Sequence, residues 1–379
     1  MSVRGAAEVI FSPPVQNWLK RAIYRHNCRL SPDHYRSALK HWYWLFKCRP
    51  CHVEEPRTMT EKIHWLKLYD STPLKGRLAD KYLVRQWVAG KVGGKYLVPL
   101  LGVWDSPDEI DFDVLPHSFV LKATHGSGWN ILVPDKGALD EEGARRRLRE
   151  WLGLRQAMKG GFELHYEYCE PRIVCEPFLR DASGGLRDYK FMVFDGVVQF
   201  IFTVDRSPGR TLRGTYLPDW TRAPFEYTCE ADRAPDIPAP AGLETMLSLA
   251  GELGKGFACA RVDFYEVDGN VYFGEITFTD ADGLSDFAPS RYDRVSETES
   301  SCRRRSLLRA SCCDGIREWR RLFVDFLRNN FTPMGRNIQK LVDILSASSL
   351  NRPDACVLRP QVCYCLWRKL GRFFISQPH

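Results

Sequence analysis

Two acidic residues stand inside an apolar hairpin that this sequence predicts. Its strands read ARVDFYEV and VYFGEITF, and an Asp-Gly-Asn turn at residues 268–270 joins them. Pairing of these strands brings Asp263 and Glu275 together, and this restricts the fold because buried carboxylates repel unless a cation or hydrogen bonds compensate. Mg²⁺ is one such cation, since it prefers carboxylate oxygens. An ion pair with Arg261, or capping of the turn, is the alternative that the hairpin alone leaves open.

A second candidate site is a glycine turn that follows a predicted strand. The strand SFVLKAT contains Lys122 near its end, and the next residues are His125-Gly126-Ser127-Gly128. Glycines let backbone N–H groups approach an oxyanion, and a lysine adds a mobile positive charge, so this combination can fold over phosphates. A glycine pair is equally typical of an ordinary turn, and the loop alone does not distinguish the two.

The remaining pattern predicts an α+β protein with antiparallel sheets. Thr58 and Glu61 have the spacing of a capping box at the start of the helix TMTEKIHWLKLY. A second helix is predicted for LADKYLVRQWVAGKVGG, followed by a buried strand in YLVPLLGVW that is broken by Pro99. Farther on, the dipeptide Asp195-Gly196 separates two apolar runs, which is a strong hairpin signal.

Charge is distributed unevenly along the 379 residues. Residues 301–379 hold 15 Lys and Arg against 5 Asp and Glu, whereas residues 1–300 hold 39 against 42. The mildly acidic body argues against nucleic acid as a partner, because binding the phosphate backbone requires a basic face. No run approaches the roughly 18 apolar residues of a spanning helix, and no secretory signal pattern is found, so we expect a cytoplasmic protein.

Longer strings in the same order resemble the TupA-like family of ATP-grasp proteins, the teichuronopeptide-biosynthesis type. The strings are T-x-x-EKI-x-W-LKLYD, LADKY-x-VR, PLLGVWDS-x-DEIDFD-x-LP, F-x-LK-x-x-HGSG-x-N, DYKF and GE-x-TF. The resemblance implies an ATP-grasp fold, in which two α/β lobes with antiparallel sheets grip ATP. We therefore divide the chain into a helical N-terminal segment (1–57), the TupA-like ATP-grasp domain (58–295) and a basic Cys- and Arg-rich tail, helical or poorly ordered (296–379).

The resemblance also implies roles for individual residues, with ATP and Mg²⁺ as cofactors. Residues expected to contact the nucleotide are Lys81, Lys122, His125, Gly126, Ser127, Gly128, Glu176, Phe178 and Leu179. In this set Glu176 begins the hinge whose backbone contacts adenine, and His125 donates to a phosphate or shapes the glycine loop. Asp263 and Glu275 match the metal carboxylates. Lys190, Arg206 and Arg213 match the cations that neutralise the transferred phosphate.

Two features depart from the ATP-grasp pattern. Thr277 stands where many members of the superfamily have an asparagine ligand to a second metal, and the match ends at Tyr292-Asp293. Beyond it, Ile316, Trp319 and other apolar residues recur at helical spacing among arginines. This predicts either a helix docked on the body or an interfacial helix that makes peripheral contact with anionic lipid.

The expected activity follows from the resemblance. It is ligation of a carboxylate to an amine through an acyl phosphate, with the substrates an amino acid and a uronic-acid-containing surface polysaccharide or its precursor. The alternatives are a glycosyltransferase or phosphotransferase of polysaccharide assembly, and a protein that binds nucleotide without turnover.

Overall fold

Two larger sheets, a two-stranded sheet and the helices packed on them form the part of the chain that the computed structural model describes: residues 13–47, 49–181, 185–207, 210–228 and 232–294. The α-helices in those ranges are α1 (Pro13–Asn27), α2 (Pro32–Lys47), α3 (Met59–Tyr69), α4 (Pro73–Ala79), α5 (Val84–Val92), α6 (Glu141–Leu152) and α7 (Leu243–Gly254). The strands are β1 (Gly102–Trp104), β2 (Phe119–Ala123), β3 (Asn130–Val133), β4 (Ile173–Pro177), β5 (Arg187–Phe194), β6 (Val197–Ser207), β7 (Arg210–Tyr216), β8 (Glu226–Thr228), β9 (Asp232–Arg233), β10 (Ala260–Val267), β11 (Asn270–Thr277) and β12 (Asp286–Ala288). Of the helices described, none has the length and apolar character to cross a membrane. The predicted tail helix lies outside these residues.

The smaller sheet has the strand order β1-β4-β2-β3. Phe119 and Leu121 of β2 alternate toward one face, where they pack with Ile173 of β4 and Leu148 of α6 in a common core. Because successive side chains in a strand point to opposite faces, Lys122 is directed away from this core. The alternation therefore frees one face of the small sheet for polar residues.

The larger sheet has the order β11-β10-β5-β6-β7-β9, with a parallel pair only at β7 and β9. Two of its hairpins turn at Asp-Gly pairs with positive φ, at residues 195–196 (46° and 84°) and 268–269 (51° and 77°). Positive φ at both central residues is the requirement of a type I′ turn. The hairpins predicted from these dipeptides are confirmed.

One face of the large sheet is apolar and the other carries charge. Phe191 of β5 and Phe264 of β10 pack with Met246 and Leu253 of α7 in the largest buried cluster. Lys190, Arg261 and Asp263 occupy the intervening positions of β5 and β10, and alternation places them on the opposite face. The charged side chains are thereby collected on the face away from α7.

Three local predictions can be compared with the structure. The capping box at Thr58 and Glu61 is confirmed. The prediction of a single helix from residue 78 is wrong: α4 ends at Ala79 and α5 begins at Val84, because the Asp80 carboxylate accepts the N–H groups of Tyr82 and Leu83. The predicted strand before residue 105 shrinks to β1, since Pro99 lacks the N–H that a ladder needs.

Helices α1 and α2 dock on the rest of the protein through polar contacts. Asn27 of α1 donates to the carbonyls of Met158 at 3.0 Å and Gly160 at 3.3 Å. Trp42 of α2 donates to Asp282 Oδ2 at 2.7 Å, and the buried Lys67 of α3 forms an ion pair with the same carboxylate. Asp282 thus holds two helices to the loop that follows β11.

Breaking the contacts of Asp282 with Lys67 and Trp42 is expected to destabilise the protein strongly. Replacing Asp282 by Ala leaves Lys67 as a buried charge without its carboxylate, which should lower the free energy of unfolding by about 3 kcal/mol or more. Asp108→Ala, which breaks an exposed pair with Arg149, should cost less than about 1 kcal/mol. Urea denaturation of both variants measures the difference in the free energy of unfolding. Equal losses of stability would contradict the structural role assigned to Asp282.

The buried side chain of His165 makes the stability of the protein depend on pH. Burial, with smaller contributions from the charges of Lys75 and Lys67, lowers the pKa of His165 to about 3. The unfolded chain binds this proton near pH 6.5 and the folded protein does not, so stability rises with pH between about 3 and 6.5. His165→Gln should reduce that slope by about 1.4 kcal/mol per pH unit in urea titrations at pH 5 and 6. An unchanged slope would show that His165 is not buried as a neutral imidazole.

Candidate active site

A polar pocket lies between the small sheet and the β10–β11 hairpin. Its lining residues are Lys81, Arg85, Lys122, Asn130, Glu176, Tyr265, Phe273, Gly274 and Glu275. Three of them are cations and two are carboxylates, so a ligand that carries negative charge suits the pocket better than a neutral one. Both sheets contribute to it, and the site depends on how they face each other.

On the small-sheet side, Lys122 and Glu176 form an ion pair. Lys122 Nζ lies 2.5 Å from Glu176 Oε2, and Arg85 Nη1 lies 3.5 Å from Glu176 Oε1. Arg85 is itself held by the carbonyl of Val98 at 2.6 Å. The two cations share one carboxylate and are fixed at the edge of the pocket.

Lys81 connects the α4–α5 turn to the glycine loop. Its backbone N–H donates to the Thr124 carbonyl at 3.2 Å, and its ammonium donates to the Gly126 carbonyl. A Cβ at Gly126 would lie 2.2 Å from the Trp129 ring, and Gly128 has φ of 72°, so both positions require glycine. Burial lowers the pKa of Lys81, which the Glu275 charge partly offsets.

His125 faces away from the pocket. Its Nε2 lies 3.1 Å from the Trp151 carbonyl of α6, and its ring meets Trp129 edge to face with centroids 4.9 Å apart. Burial lowers its pKa, which favours the neutral imidazole at pH 7. Of the two roles expected for this residue, the geometry fits shaping of the loop rather than contact with a phosphate.

The two acids of the hairpin are directly opposed, and a guanidinium lies between them. Asp263 pairs with Glu275 in the β10–β11 register. Arg261 donates from Nε to Asp263 Oδ1 at 2.7 Å and from Nη2 to Oδ2 at 2.8 Å, and it also binds Glu275 and Asp280. Lys190 adds a further bond to Asp263 Oδ2. The ion pair that the sequence left open as an alternative is therefore present.

The environments of the two acids differ. The Glu275 side chain is 37% exposed and lines the pocket, whereas that of Asp263 is 2% exposed. Burial opposes ionisation of Glu275, but the charges of Arg261, Lys190 and Lys81 outweigh it and lower its pKa to about 2. Burial raises the pKa of Asp263. Glu275 is thus the accessible, firmly ionised member of the pair.

Of the two hairpin carboxylates, only Glu275 is free to face a Mg²⁺ ion in the pocket. Glu275 offers a pocket-facing carboxylate, with Thr277 Oγ1 bonded to its Oε1 at 3.2 Å. Both oxygens of Asp263 are bound by Arg261 and Lys190, so that carboxylate fits a metal only if a cation moves. Across residues 13–294 as described, no cluster of three or more His, Cys, Asp or Glu side chains is arranged to hold a metal ion. Glu275 together with ligand phosphates is the set that fits.

The other predicted residues lie around the pocket at different distances from it. Phe178 and Leu179 follow β4 and do not line the pocket, and Arg180 stacks over the Phe178 ring at 4.7 Å. Arg213 lies on β7 with its guanidinium 5.7 Å from the Phe202 ring centre. The backbone of Arg206 belongs to β6, but its side chain is outside the described part of the structure.

Several pocket residues were not predicted as site residues from the sequence: Arg85, Asn130, Tyr265, Phe273 and Gly274. A signal existed for Tyr265, because strand alternation places it on the same face as Asp263. Gly274 is closely approached by its neighbour, since a Cβ there would lie 3.1 Å from the Tyr265 ring. Arg85 carried no signal, because a helix surface offers many exposed arginines.

Comparisons with solved structures find partial similarity. The chain is similar to D-alanine–D-alanine ligase from Bacillus anthracis complexed with ATP (16% identity, 54% of this chain and 55% of that chain, TM-score 0.32). It is also similar to phosphoribosylamine–glycine ligase from Thermotoga maritima (14%, 54% and 48%, 0.31) and to the ATP-grasp ligase PsnB complexed with a precursor variant, Mg and ADP (12%, 55% and 52%, 0.32). The chain spans about half the length of these proteins. No curated protein matches the sequence.

The comparison with family models covers more of the chain. The model described as TupA-like ATPgrasp matches residues 61–297, which include every residue of the pocket and every predicted site residue. The α+β architecture with antiparallel sheets agrees with the fold expected for that family, and both predictions are confirmed. The chain belongs to the TupA-like ATPgrasp family.

Proposed function

We propose that this protein is an ATP- and Mg²⁺-dependent ligase that joins a carboxylate to an amine through an acyl phosphate. One observation carries the proposal: Lys81 and Lys122, from different elements, meet Glu275 in one pocket beside the glycine loop. Two cations and an exposed carboxylate suit a metal-bound polyphosphate, because the cations contact phosphate oxygens while the carboxylate binds the metal. Membership of an ATP-grasp family supports the same conclusion.

In this proposal the ATP site comprises the pocket and its surroundings, with a phosphate end and an adenine end. Lys81, Lys122 and the loop Gly126-Ser127-Gly128 would hold phosphates, and the backbone after Glu176, at Phe178 and Leu179, would contact adenine. Tyr265 and Phe273 supply aromatic surface to the pocket lining. Lys122 already has Glu176 as an internal partner, so a phosphate would compete with that carboxylate for the ammonium.

The chemical step needs no enzyme nucleophile. The substrate carboxylate attacks the γ-phosphorus and releases ADP; the amine then attacks the acyl carbon and releases phosphate, and the amine proton is lost. Mg²⁺, when bound, neutralises charge on the phosphates. Lys190, Arg206 and Arg213 would stabilise the transferred phosphoryl group, and the protein would act mainly through orientation and fixed positive charge.

Substrate identity is a further part of the proposal. We infer an amino acid and a uronic-acid-containing surface polysaccharide or its precursor, in a protein that acts in the cytoplasm and makes peripheral membrane contact through its basic tail. Family membership supports this assignment. A glycosyltransferase or phosphotransferase of polysaccharide assembly is the alternative, and it predicts use of a sugar nucleotide or a phosphate left on the product.

Product analysis distinguishes these functions. Purified protein with Mg²⁺ATP is screened against amino acids paired with uronic-acid oligosaccharides, and ADP, phosphate and product masses are measured. Equal amounts of ADP and phosphate, with loss of water between two substrates, are expected of the ligase. A phosphorylated product, or sugar transfer without ATP use, would contradict it. Lys122→Met is the inactive control and should raise the Kd for ATP by about tenfold, because a charge-assisted bond is lost.

Glu275 provides a separate test of the metal assignment. Glu275→Gln keeps the size of the side chain but removes its charge, and we expect turnover to fall by about 100-fold or more and the Mg²⁺ concentration for half-maximal activity to rise. Glu252→Gln, at an exposed acid paired with Lys91, is the matched control and should change neither quantity. Unchanged turnover in Glu275→Gln would exclude this residue as the metal ligand.

A further inference from the structure

Lys159 differs from most other enclosed lysines of the described structure. Among the described residues, Lys81 also has no carboxylate within ion-pair distance, but its ammonium donates to the Gly126 carbonyl. Lys47, Lys67, Lys75 and Lys190 each have a carboxylate within ion-pair distance. Lys159 instead places its ammonium 5.0 Å from the centre of the Trp129 ring, and no carboxylate in the described ranges lies within ion-pair distance of it. An aromatic face offsets only part of the cost of removing an ammonium from water. A partly enclosed lysine of this kind suits a ligand that brings its own negative charge.

The position of Lys159 connects it with the glycine loop. The Trp129 ring lies against Gly126, whose carbonyl accepts a hydrogen bond from Lys81. The residue Gly161, two positions after Lys159, donates its N–H to Asp282 Oδ2 at 3.1 Å. The segment that carries Lys159 therefore runs between the glycine loop and the loop that follows β11.

A second lysine approaches from α1. Asn27 anchors that helix to the carbonyls on both sides of Lys159, and Lys20 lies on the same helix. Burial, assisted by the charge of Lys20 and opposed by that of Glu163, lowers the pKa of Lys159 to about 8. A lysine whose pKa is lowered by burial and by a like charge is common at functional sites.

We propose that Lys159, assisted by Lys20, binds the carboxylate or phosphate group of the second substrate beside the glycine loop. The α1 helix thereby becomes a wall of the active site, and the N-terminal segment contributes to substrate choice. The description of the anion as a substrate rests on the proposed ligase function, but the anion site itself does not. A uronate, an acidic amino acid and a phosphate share the required charge, and the experiment separates them.

The first test uses the unmodified protein. Lysines are acetylated in trace amounts with acetic anhydride at pH 8, with and without D-glucuronate, L-glutamate or inorganic phosphate, and the rate at each lysine is read by peptide mass analysis. We expect one of these anions to slow the modification of Lys159 in a saturable way. Lys95, which stacks on the Tyr96 ring at 4.9 Å but is exposed, should react at the same rate throughout. D-Glucose, which lacks the carboxylate, should not protect Lys159.

The second test uses variants and ligand-observed NMR with the same anions. Lys159→Met should weaken binding of the protecting anion by about tenfold, Lys159→Arg should retain most of it, and Lys95→Met should leave it unchanged. Calorimetry with Mg²⁺ATP is run on each variant. If no anion protects Lys159 while ATP still binds, the inference is overturned and the proposed function stands. If ATP does not bind the unmodified protein, the proposed function fails and the anion site is judged by the protection data alone.

Discussion

The site depends on the ion pairs that the Arg261 guanidinium makes with three carboxylates. A buried cation must be compensated, and Arg261 is compensated by Asp263 on its own strand, Glu275 on the paired strand and Asp280 in the loop beyond. One side chain therefore sets the spacing of β10, β11 and that loop. It also explains how two carboxylates can oppose each other across a hairpin without a metal, because the repulsion between them is screened by a charge that the chain itself supplies.

The loop that contains Asp280 also contacts the N-terminal helices. Asp280 accepts a hydrogen bond from Tyr227, and Asp282, two residues later, binds Lys67 and Trp42. Residues 281 and 282 have φ of 45° and 58°, a conformation that non-glycine residues rarely adopt and that needs support from its surroundings. The loop is held in this conformation by contacts on both sides, from the sheet and from the helices. Packing of α2 and α3 is in this way coupled to the position of Asp280 beside Arg261.

The fold and the site were predictable from the sequence to different extents. Hairpins at Asp-Gly pairs, the capping box at Thr58 and the placement of Lys122 away from the small core follow from local patterns, because turn chemistry and strand alternation act within a few residues. The direction of His125 was not predictable, since it depends on Trp151 of a helix 26 residues later. Lys159 gave no signal either, because it lies in an irregular segment where no periodicity assigns a face. Charge partners that come from distant elements are decided by tertiary structure.

The lysines of the pocket already have partners, and this sets a condition on any ligand. Lys122 is paired with Glu176 at 2.5 Å, and Lys81 with the Gly126 carbonyl. A ligand gains from these cations only if its own contacts replace those bonds, since a polar group left without a partner in the pocket costs about 1–3 kcal/mol. Phosphate oxygens meet the condition because bonds between two charged groups are stronger than those to a neutral carbonyl. A nucleoside without phosphates does not meet it, so under the proposed function the exchange of partners would favour a polyphosphate as the ligand of this pocket.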